Sequence, residues 1–288
     1  MSTMRYPFVS VIVCTLNRKE FLRRCLNELL NVNYPESQYK IIVVDGGSVD
    51  GTENMVKNEF PSVKYVVEKR SGVSYARNKG LEIARGEVIA FTDDDCIVTK
   101  DWLYNLVISF DSPEIGAVGG PVRFTRKIPR KLLVKAALGG YDLGERRQFV
   151  GYLVTSNIAV KRKVFRKIRF DENLGRKGDM LFDNEDIDFC ERILRMGYKL
   201  VYNPKAIVYH NINPERIKVK YILVRAFYSG KSLYLMKRKY ARSSVHLFRD
   251  IVRSTIGAAL LFLFNINLEN FYFLIRNFSM CLAFINLI

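Results

Sequence analysis

Gly86-Glu-Val-Ile-Ala-Phe-Thr-Asp-Asp-Asp95 decides the fold, because a run of β-favouring apolar residues ends there on three consecutive carboxylates. A strand buried on both faces reads as a continuous apolar run rather than an alternating one, and Glu87 to Thr92 has that character. Toward the N-terminus, Phe8 to Cys14, Ile41 to Val44 and Val63 to Val67 are runs of the same kind. Helical spacing fills the gaps between them. Phe21, Leu22, Cys25, Leu26, Leu29 and Leu30 follow Asn17 as N-cap; Asp50 can cap a short helix reaching Phe60; a third helix over 75–85 has Gly86 past its end. Beyond the acidic triplet, a helix is expected near Trp102 to Phe110 and a strand at Ile115 to Gly119. Strands alternating with helices of about a dozen residues predict an α/β fold, a mostly parallel, Rossmann-like sheet with helices on both faces. Ligands of such sheets bind outside the carboxyl ends of the strands, where Asp93, Asp94 and Asp95 fall.

The chain has 288 residues, 49% hydrophobic and 26% charged, which excludes a disordered tail protein and a fibrous repeat. Its 46 Lys and Arg against 29 Asp and Glu leave a net charge of +17, which calls for an anionic partner. The excess sits in two blocks, +12 over residues 122–169 and +9 over 211–253, while 1–121 and 170–210 carry −2 each. The second block adjoins apolar stretches at 256–264 and 280–288, a membrane-surface pattern more than a nucleic-acid one. The longest uncharged run, 254–268, has 15 residues, short of the ~20 that a spanning helix needs. Residues 211–288 are therefore expected to form a basic and apolar helical extension, lying on or re-entering an anionic cytoplasmic membrane face. A helical subdomain packed on the core of the chain or on a second subunit is the other reading of that extension. The first apolar run is strand-length rather than signal-like, and five scattered cysteines without a CxxC pair indicate neither a disulfide framework nor a zinc site. A reducing, cytoplasmic setting is expected.

Three adjacent carboxylates repel one another unless a cation intervenes, and a hard divalent ion such as Mg²⁺ or Mn²⁺ suits an Asp-x-Asp turn that also receives diphosphate oxygens. The plainer reading is a solvated turn capping the helix that starts near Asp101. A second acidic cluster, Asp183-Asn-Glu-Asp-Ile-Asp188, opens a helix with an apolar stripe of Ile187, Cys190, Ile193 and Leu194 that ends at Gly197. Acids there either offset the helix dipole or supply a general base. His210 follows an apolar strand-like run, Lys199 to Tyr209; Trp102 reads as core; and His246 has no catalytic role.

Val9-Ser-Val-Ile-Val-Cys-Thr-Leu-Asn-Arg18, Ile42-Val-Val-Asp-Gly-Gly-Ser-Val-Asp-Gly-Thr52, Gly72-Val-Ser-Tyr-Ala-Arg-Asn-Lys-Gly80 and Gly86 to Asp95 together resemble the family-two inverting glycosyltransferases of the A-type fold. Asn184-Glu-Asp186 with Arg192, Gly197 and Tyr198 resembles that family's later catalytic segment. The resemblance covers roughly residues 7 to 210 and implies a nucleotide-sugar-binding catalytic domain over 1–210. It implies that Thr15, Leu16, Asn17 and Arg18 line the nucleotide, that Asp45 contacts the base, and that Arg77 lies near nucleotide or diphosphate. Asp93 and Asp95 become the metal-binding pair, with Asp94 beside them on the donor and His210 completing the metal site or touching the diphosphate. Asp186 becomes the base that deprotonates a hydroxyl of a glycan or lipid-linked acceptor, with Glu185 an acceptor contact or its supporting partner. Uracil is the implied base, although Gly46 stands where many members carry a second Asp. The alternatives are a nucleotidyltransferase of related fold, whose Gly-rich N-terminal loop is missing, and a basic nucleic-acid-binding protein, for which no recognition motif is present.

Overall fold

The computed structural model describes residues 6–132 and 134–285. The chain begins β1 (Val9–Thr15), α1 (Lys19–Leu29), β2 (Tyr39–Asp45), α2 (Thr52–Glu59), β3 (Lys64–Val67), α3 (Val73–Ile83) and β4 (Val88–Asp93). β1 pairs in parallel with both β2 and β4, setting Thr15 opposite Asp45 and Cys14 opposite Asp93. This register brings three strand ends to one edge, and the edge carries the site. Val9, Val11 and Val13 of β1 pack with Leu22, Leu26 and Leu29 of α1, while Ile12 packs on the other face with Ala76 and Leu81 of α3. Each such side chain contributes about 1.5–3 kcal/mol on burial, so two-sided packing holds these strands in place.

The helix starts differ from the sequence reading. Arg18, not Asn17, precedes α1, and the Lys19 N–H donates instead to Asp50 Oδ2 at 2.9 Å. Asn17 adopts left-handed φ of 52° and accepts from the Val49 N–H. Asp50 does serve the start of α2, accepting from the Thr52 N–H at 3.2 Å. Gly86 does not end α3, which closes on extended Ala84; a Cβ at Gly86 would collide with the Ser10 backbone of β1.

The second half continues β5 (Cys96–Val98), α4 (Trp102–Ile108), β6 (Ile115–Gly119), β7 (Val122–Phe124), α5 (Lys135–Leu138), β8 (Gln148–Val150), β9 (Asn157–Lys161), α6 (Arg162–Phe165), α7 (Glu185–Arg195), β10 (Lys199–Tyr202) and β11 (Val208–His210). The large sheet has the order β3-β2-β1-β4-β9-β6-β10-β8. Six of its eight strands share one direction, as expected of a mostly parallel sheet; β9, antiparallel to β4 and β6, and β8, antiparallel to β10, run against them. An apolar run encodes burial but not direction, so nothing local marks β9 as reversed. The run from Lys199 to Tyr209 is likewise not one strand. It breaks after Asn203, where Pro204 offers no N–H and the Asn203 side chain takes the Lys205 N–H. β10 stays in the large sheet, whereas β11 joins a small sheet β5-β11-β7 that sets His210 opposite Cys96. His210 is thereby delivered to the neighbour of Asp95.

Asn157, fully buried at the start of β9, ties this half together. Its amide donates to Pro121 O and Ala206 O at 3.0 and 2.7 Å, and its oxygen accepts from the Trp102 indole at 2.8 Å. Asn157→Ala leaves a buried indole N–H and the Ala206 carbonyl unmet, while Pro121 O keeps the Val208 N–H at 3.0 Å, so a loss of about 2–4 kcal/mol is expected in urea denaturation. A loss below about 1 kcal/mol would show that the hub is dispensable.

α8 (Val219–Tyr240), α9 (Ser244–Phe264) and α10 (Leu268–Ile285) complete the chain. α8 and α10 cross where Gly230 lies against the Arg276 carbonyl, a contact that a Cβ would block. Beside the crossing, the Ser279 hydroxyl donates to Phe227 O at 2.7 Å. These helices pack on the α/β part of the chain: Lys239 and the Tyr240 hydroxyl bond Asp188 of α7 at 2.8 and 2.7 Å, and the Ser232 hydroxyl donates to Asp183 O. The alternative reading of the extension, a helical subdomain docked on the core, describes this arrangement. Among the described residues no helix is long and apolar enough to cross a membrane. Residues 286–288 of the apolar stretch 280–288 lie outside the described residues.

Candidate active site

At the aligned ends of β1 and β4 the three aspartates divide their tasks. Asp94 turns inward, accepting from the Thr15 hydroxyl at 2.8 Å and from Arg18 at 2.6 Å. Burial pushes its carboxyl up to about 7 against the pull of Arg18. Asp95 accepts from Arg18 at 2.6 Å, Arg216 at 3.1 Å and His210 Nε2 at 3.2 Å. Although burial opposes it, this ring of donors holds Asp95 well below the usual carboxylate range. Asp93 is the open member, with a side chain 39% exposed and Arg77 at 3.4 Å.

Ligand atoms of Asp93, Asp95 and Cys96 lie within 4.8 Å of one another. Burial keeps the Cys96 thiol protonated, which leaves two carboxylates, with the His210 imidazole bonded to one of them. That oxygen-rich donor set fits Mg²⁺ or Mn²⁺.

Arg77 connects this cluster to the second acidic segment. Buried midway along α3, it donates to Glu185 at 2.7 Å and reaches Asp93 at 3.4 Å. Glu185 is thus engaged as the partner of a buried guanidinium. Removing one partner of such a pair strands the other charge, so Glu185→Gln is expected to cost about 3–5 kcal/mol in urea denaturation. A loss under 1 kcal/mol would mean that Asp93 alone satisfies Arg77.

Asp186, one residue into α7, is half-buried and accepts only from the Ile187 N–H, at 2.9 Å, among the described residues. Burial and the neighbouring Glu185 carboxylate push it up to about 7, with Arg77 pulling the other way. Asn184 precedes it with left-handed φ of 66°, a strained setting for a residue other than glycine. Side chains from the C-terminal helices hold that bend: Arg276 donates to Asn184 Oδ1 at 3.1 Å, and Arg225 to Leu181 O and Phe182 O at 2.6 and 3.1 Å.

A cavity of about 640 Å³ joins these groups. Thr15, Leu16, Arg18, Arg77, Asp93, Asp94, Asp95, Glu185, Asp186 and His210 all line it, so ten of the twelve residues singled out from sequence meet in one place. Asp45 and Asn17 stand off the wall. Asp45 is 0% exposed, and its oxygens accept from the Gly47 and Ser48 N–H groups and from the Tyr65 hydroxyl at 2.6 Å. With Asn17 it shapes the turn whose Gly46 does face the cavity. Sequence reasoning missed Arg176, Arg216, Arg225, Tyr272 and Arg276, which line the same cavity. Four of them, all but Arg176, fall in residues 211–288, whose pattern pointed outward to a membrane.

The family model for glycosyl transferase family 2 matches residues 10–172. The chain belongs to that family. This glycosyltransferase is 32% identical over 251 residues to the glucosyl-dolichyl phosphate glucuronosyltransferase of Haloferax volcanii, an alignment covering 82% of this chain and 79% of the relative. It is 25% identical to a diacetamido-dideoxy-glucuronosyltransferase of Methanococcus voltae, named as acting on dolichyl N-acetylglucosaminyl phosphate, over 81% of this chain and 74% of that one. The mannosyltransferase of Pyrobaculum calidifontis, solved with GDP-mannose and Mn²⁺, shares the fold with a TM-score of 0.63 at 22% identity, covering 97% of this glycosyltransferase and 75% of that chain. Membership decides against the nucleotidyltransferase and nucleic-acid-binding alternatives.

Proposed function

We propose that this glycosyltransferase moves a sugar from a nucleotide diphosphate-sugar, UDP-linked by the family resemblance, to a hydroxyl of a lipid-linked glycan, with inversion at the anomeric carbon. The observation that carries this reading is Asp186: a carboxylate raised to about 7 sharing a cavity with the Asp93–Asp95 pair, with Arg77 and Glu185 between them. A base is most effective when its pKa lies near the working pH, and a single displacement needs only one. Asp93, Asp95 and His210 would hold Mg²⁺ or Mn²⁺, which when bound neutralises charge on the leaving diphosphate. Arg77 supplies a buried cation on the same side. Asp186 takes the acceptor proton on the opposite side of the sugar, and the strained Asn184 bend fixes where its carboxylate stands. Asp45 serves the base by holding the Gly46–Ser48 turn, so Asp45→Ala weakens UDP more than it weakens diphosphate.

Calorimetry with UDP-, GDP- and dTDP-sugars, with and without metal, tests the donor. UDP-sugars are expected to bind at least tenfold more tightly; equal binding of GDP-sugars would remove the uracil reading. Proton NMR of the first-formed product tests the stereochemistry, and retention of the donor's anomeric configuration would sink single displacement.

The lipid-linked acceptor rests on the two dolichyl-phosphate relatives and on the surface of α9. Val245, Phe248, Ile256, Leu260, Leu263 and Phe264 are exposed there, at three- to four-residue intervals save one longer step and the adjacent pair Leu263-Phe264, alongside exposed Arg249 and Arg253. An apolar stripe flanked by cations suits an anionic bilayer surface, bound peripherally. The full-length protein is expected to sediment with anionic vesicles at low salt; a supernatant fraction equal to that with neutral vesicles would defeat this assignment.

A further inference from the structure

Four buried side-chain polar atoms among the described residues have no hydrogen-bond partner: Thr92 Oγ1, Arg225 Nε, Ser229 Oγ and Arg276 Nε. Folded proteins leave few such atoms, and each unmet donor costs about 1–3 kcal/mol, more when charged. Three of the four belong to residues lining one corner of the active-site cavity, where α8 meets α10. Their grouping is the informative fact.

The charges in that corner are poorly matched as well. Arg276 makes no ion pair among the described residues; its one hydrogen bond goes to the neutral Asn184 amide oxygen, at 3.1 Å. Arg225 spends two bonds on backbone carbonyls and meets Asp183 only at 3.4 Å. Ser229 lies one helical turn beyond Arg225 on α8, where the Tyr272 hydroxyl of α10 comes near its own without closing a hydrogen bond. The corner adjoins the base, since Tyr152 feels both the Asp186 carboxylate and the Arg276 guanidinium. It also lies on the α8–α10 side of the Asn184 bend, while the Asp93–Asp95 pair sits at the strand ends. Two guanidinium groups and a hydroxyl around a cavity recognise a compact oxyanion, because planar N–H donors match carboxylate and phosphate oxygens.

We propose that Arg225, Ser229 and Arg276 form an oxyanion subsite that takes a carboxylate or phosphodiester group carried by one of the two sugar substrates, separately from the donor diphosphate. The inference rests on the reading that donor and acceptor share this cavity. Two sources supply the same chemistry: the carboxylate of a uronic-acid donor, and the phosphodiester joining an acceptor sugar to its lipid.

Calorimetry on the full-length protein, with and without UDP and Mn²⁺, distinguishes them. Methyl β-D-glucuronide is compared with methyl β-D-glucoside for the first source, and a short-chain alkyl glucosyl phosphodiester with the alkyl glucoside for the second. The wild type is expected to favour the charged member of one pair by at least tenfold, and the pair that shows it names the source. Arg276→Met and Arg225→Met are each expected to reduce that preference to under threefold, with UDP affinity unchanged. Equal affinities within both pairs, or a preference that survives both substitutions, overturns the subsite. If either Met variant loses its thermal transition, Ser229→Ala carries the test by itself: at least a threefold loss of preference is expected, and no loss overturns the proposal. Failure of the wild type to bind UDP-sugar would sink the donor reading without touching the comparison made in the absence of UDP.

Discussion

Asp186→Asn leaves nucleotide binding intact, lowers turnover by roughly 10² to 10⁴, and raises the melting temperature at pH 8. The substitution keeps the side chain's size and removes the proton acceptor, so binding and chemistry separate. The stability gain follows from the displaced pKa. Asp186 moves from an ordinary 3.8 up to about 7 on folding, so the folded protein holds that proton more tightly than the unfolded chain does. The stability contributed by the protonated group is complete below pH ~4 and lost as pH rises through 7, where the ionised carboxylate is a net cost. Asparagine carries no such cost, and an increase of a few degrees is expected at pH 8 and a smaller one at pH 5. The same shift sets the wild-type pH profile: kcat/KM rises with pH and levels off above about 7, standing about a hundredfold lower at pH 5. Near-normal turnover in the variant would remove Asp186 as base, and an acid limb near 4 would place it in a more polar setting than the structure shows.

Asp95→Asn makes nucleotide affinity indifferent to divalent metal. Wild-type UDP affinity is expected to fall at least tenfold when Mn²⁺ is replaced by chelator, and the variant's by less than twofold. Asp95 is the sharper choice because it is the buried carboxylate that faces His210, with Arg18 and Arg216 also converging on it. An amide there cannot serve a hard cation as an anionic ligand. Calorimetric titration of UDP into both proteins, in metal and in chelator, reads the effect directly. An undiminished metal dependence in the variant would mean that Asp95 serves only to anchor the arginines.

The parallel half of the sheet was legible because its signals are local. β1, β2 and β4 are short apolar runs, and the triplet at Asp93 marks where one of them stops. β9 was not legible, since strand direction depends on the path taken by residues 94–156 and not on Asn157–Lys161 themselves. His210 was read at the end of one long strand; its place beside Asp95 comes from the break at Asn203-Pro204 that sends β11 into a separate sheet. Ten of twelve site residues fell on the cavity wall because family motifs sit at strand ends that the register lines up. Asp45 escaped because its sequence context shows a carboxylate before a turn but not the Tyr65 hydroxyl on the neighbouring strand β3 that consumes it. Arg276 could not be found at all: it is the lone base in an apolar tail, and it reaches Asn184 only because Gly230 lets α10 approach α8.

The fastening of α7 has a consequence for how such enzymes are recombined. Asp188 is fully buried and shared among Arg192 of its own helix and Lys239 and Tyr240 of α8. The family match ends at residue 172, before this knot. A chimera seamed at residue 210 would strand that carboxylate among foreign side chains, whereas one seamed just before Asp171, which Lys239 also bonds at 2.9 Å, would import the knot whole. The block from 171 onward is therefore the part expected to exchange as a unit of inheritance, provided that the host half keeps the partners of its Glu185 and His210, Arg77 and Asp95.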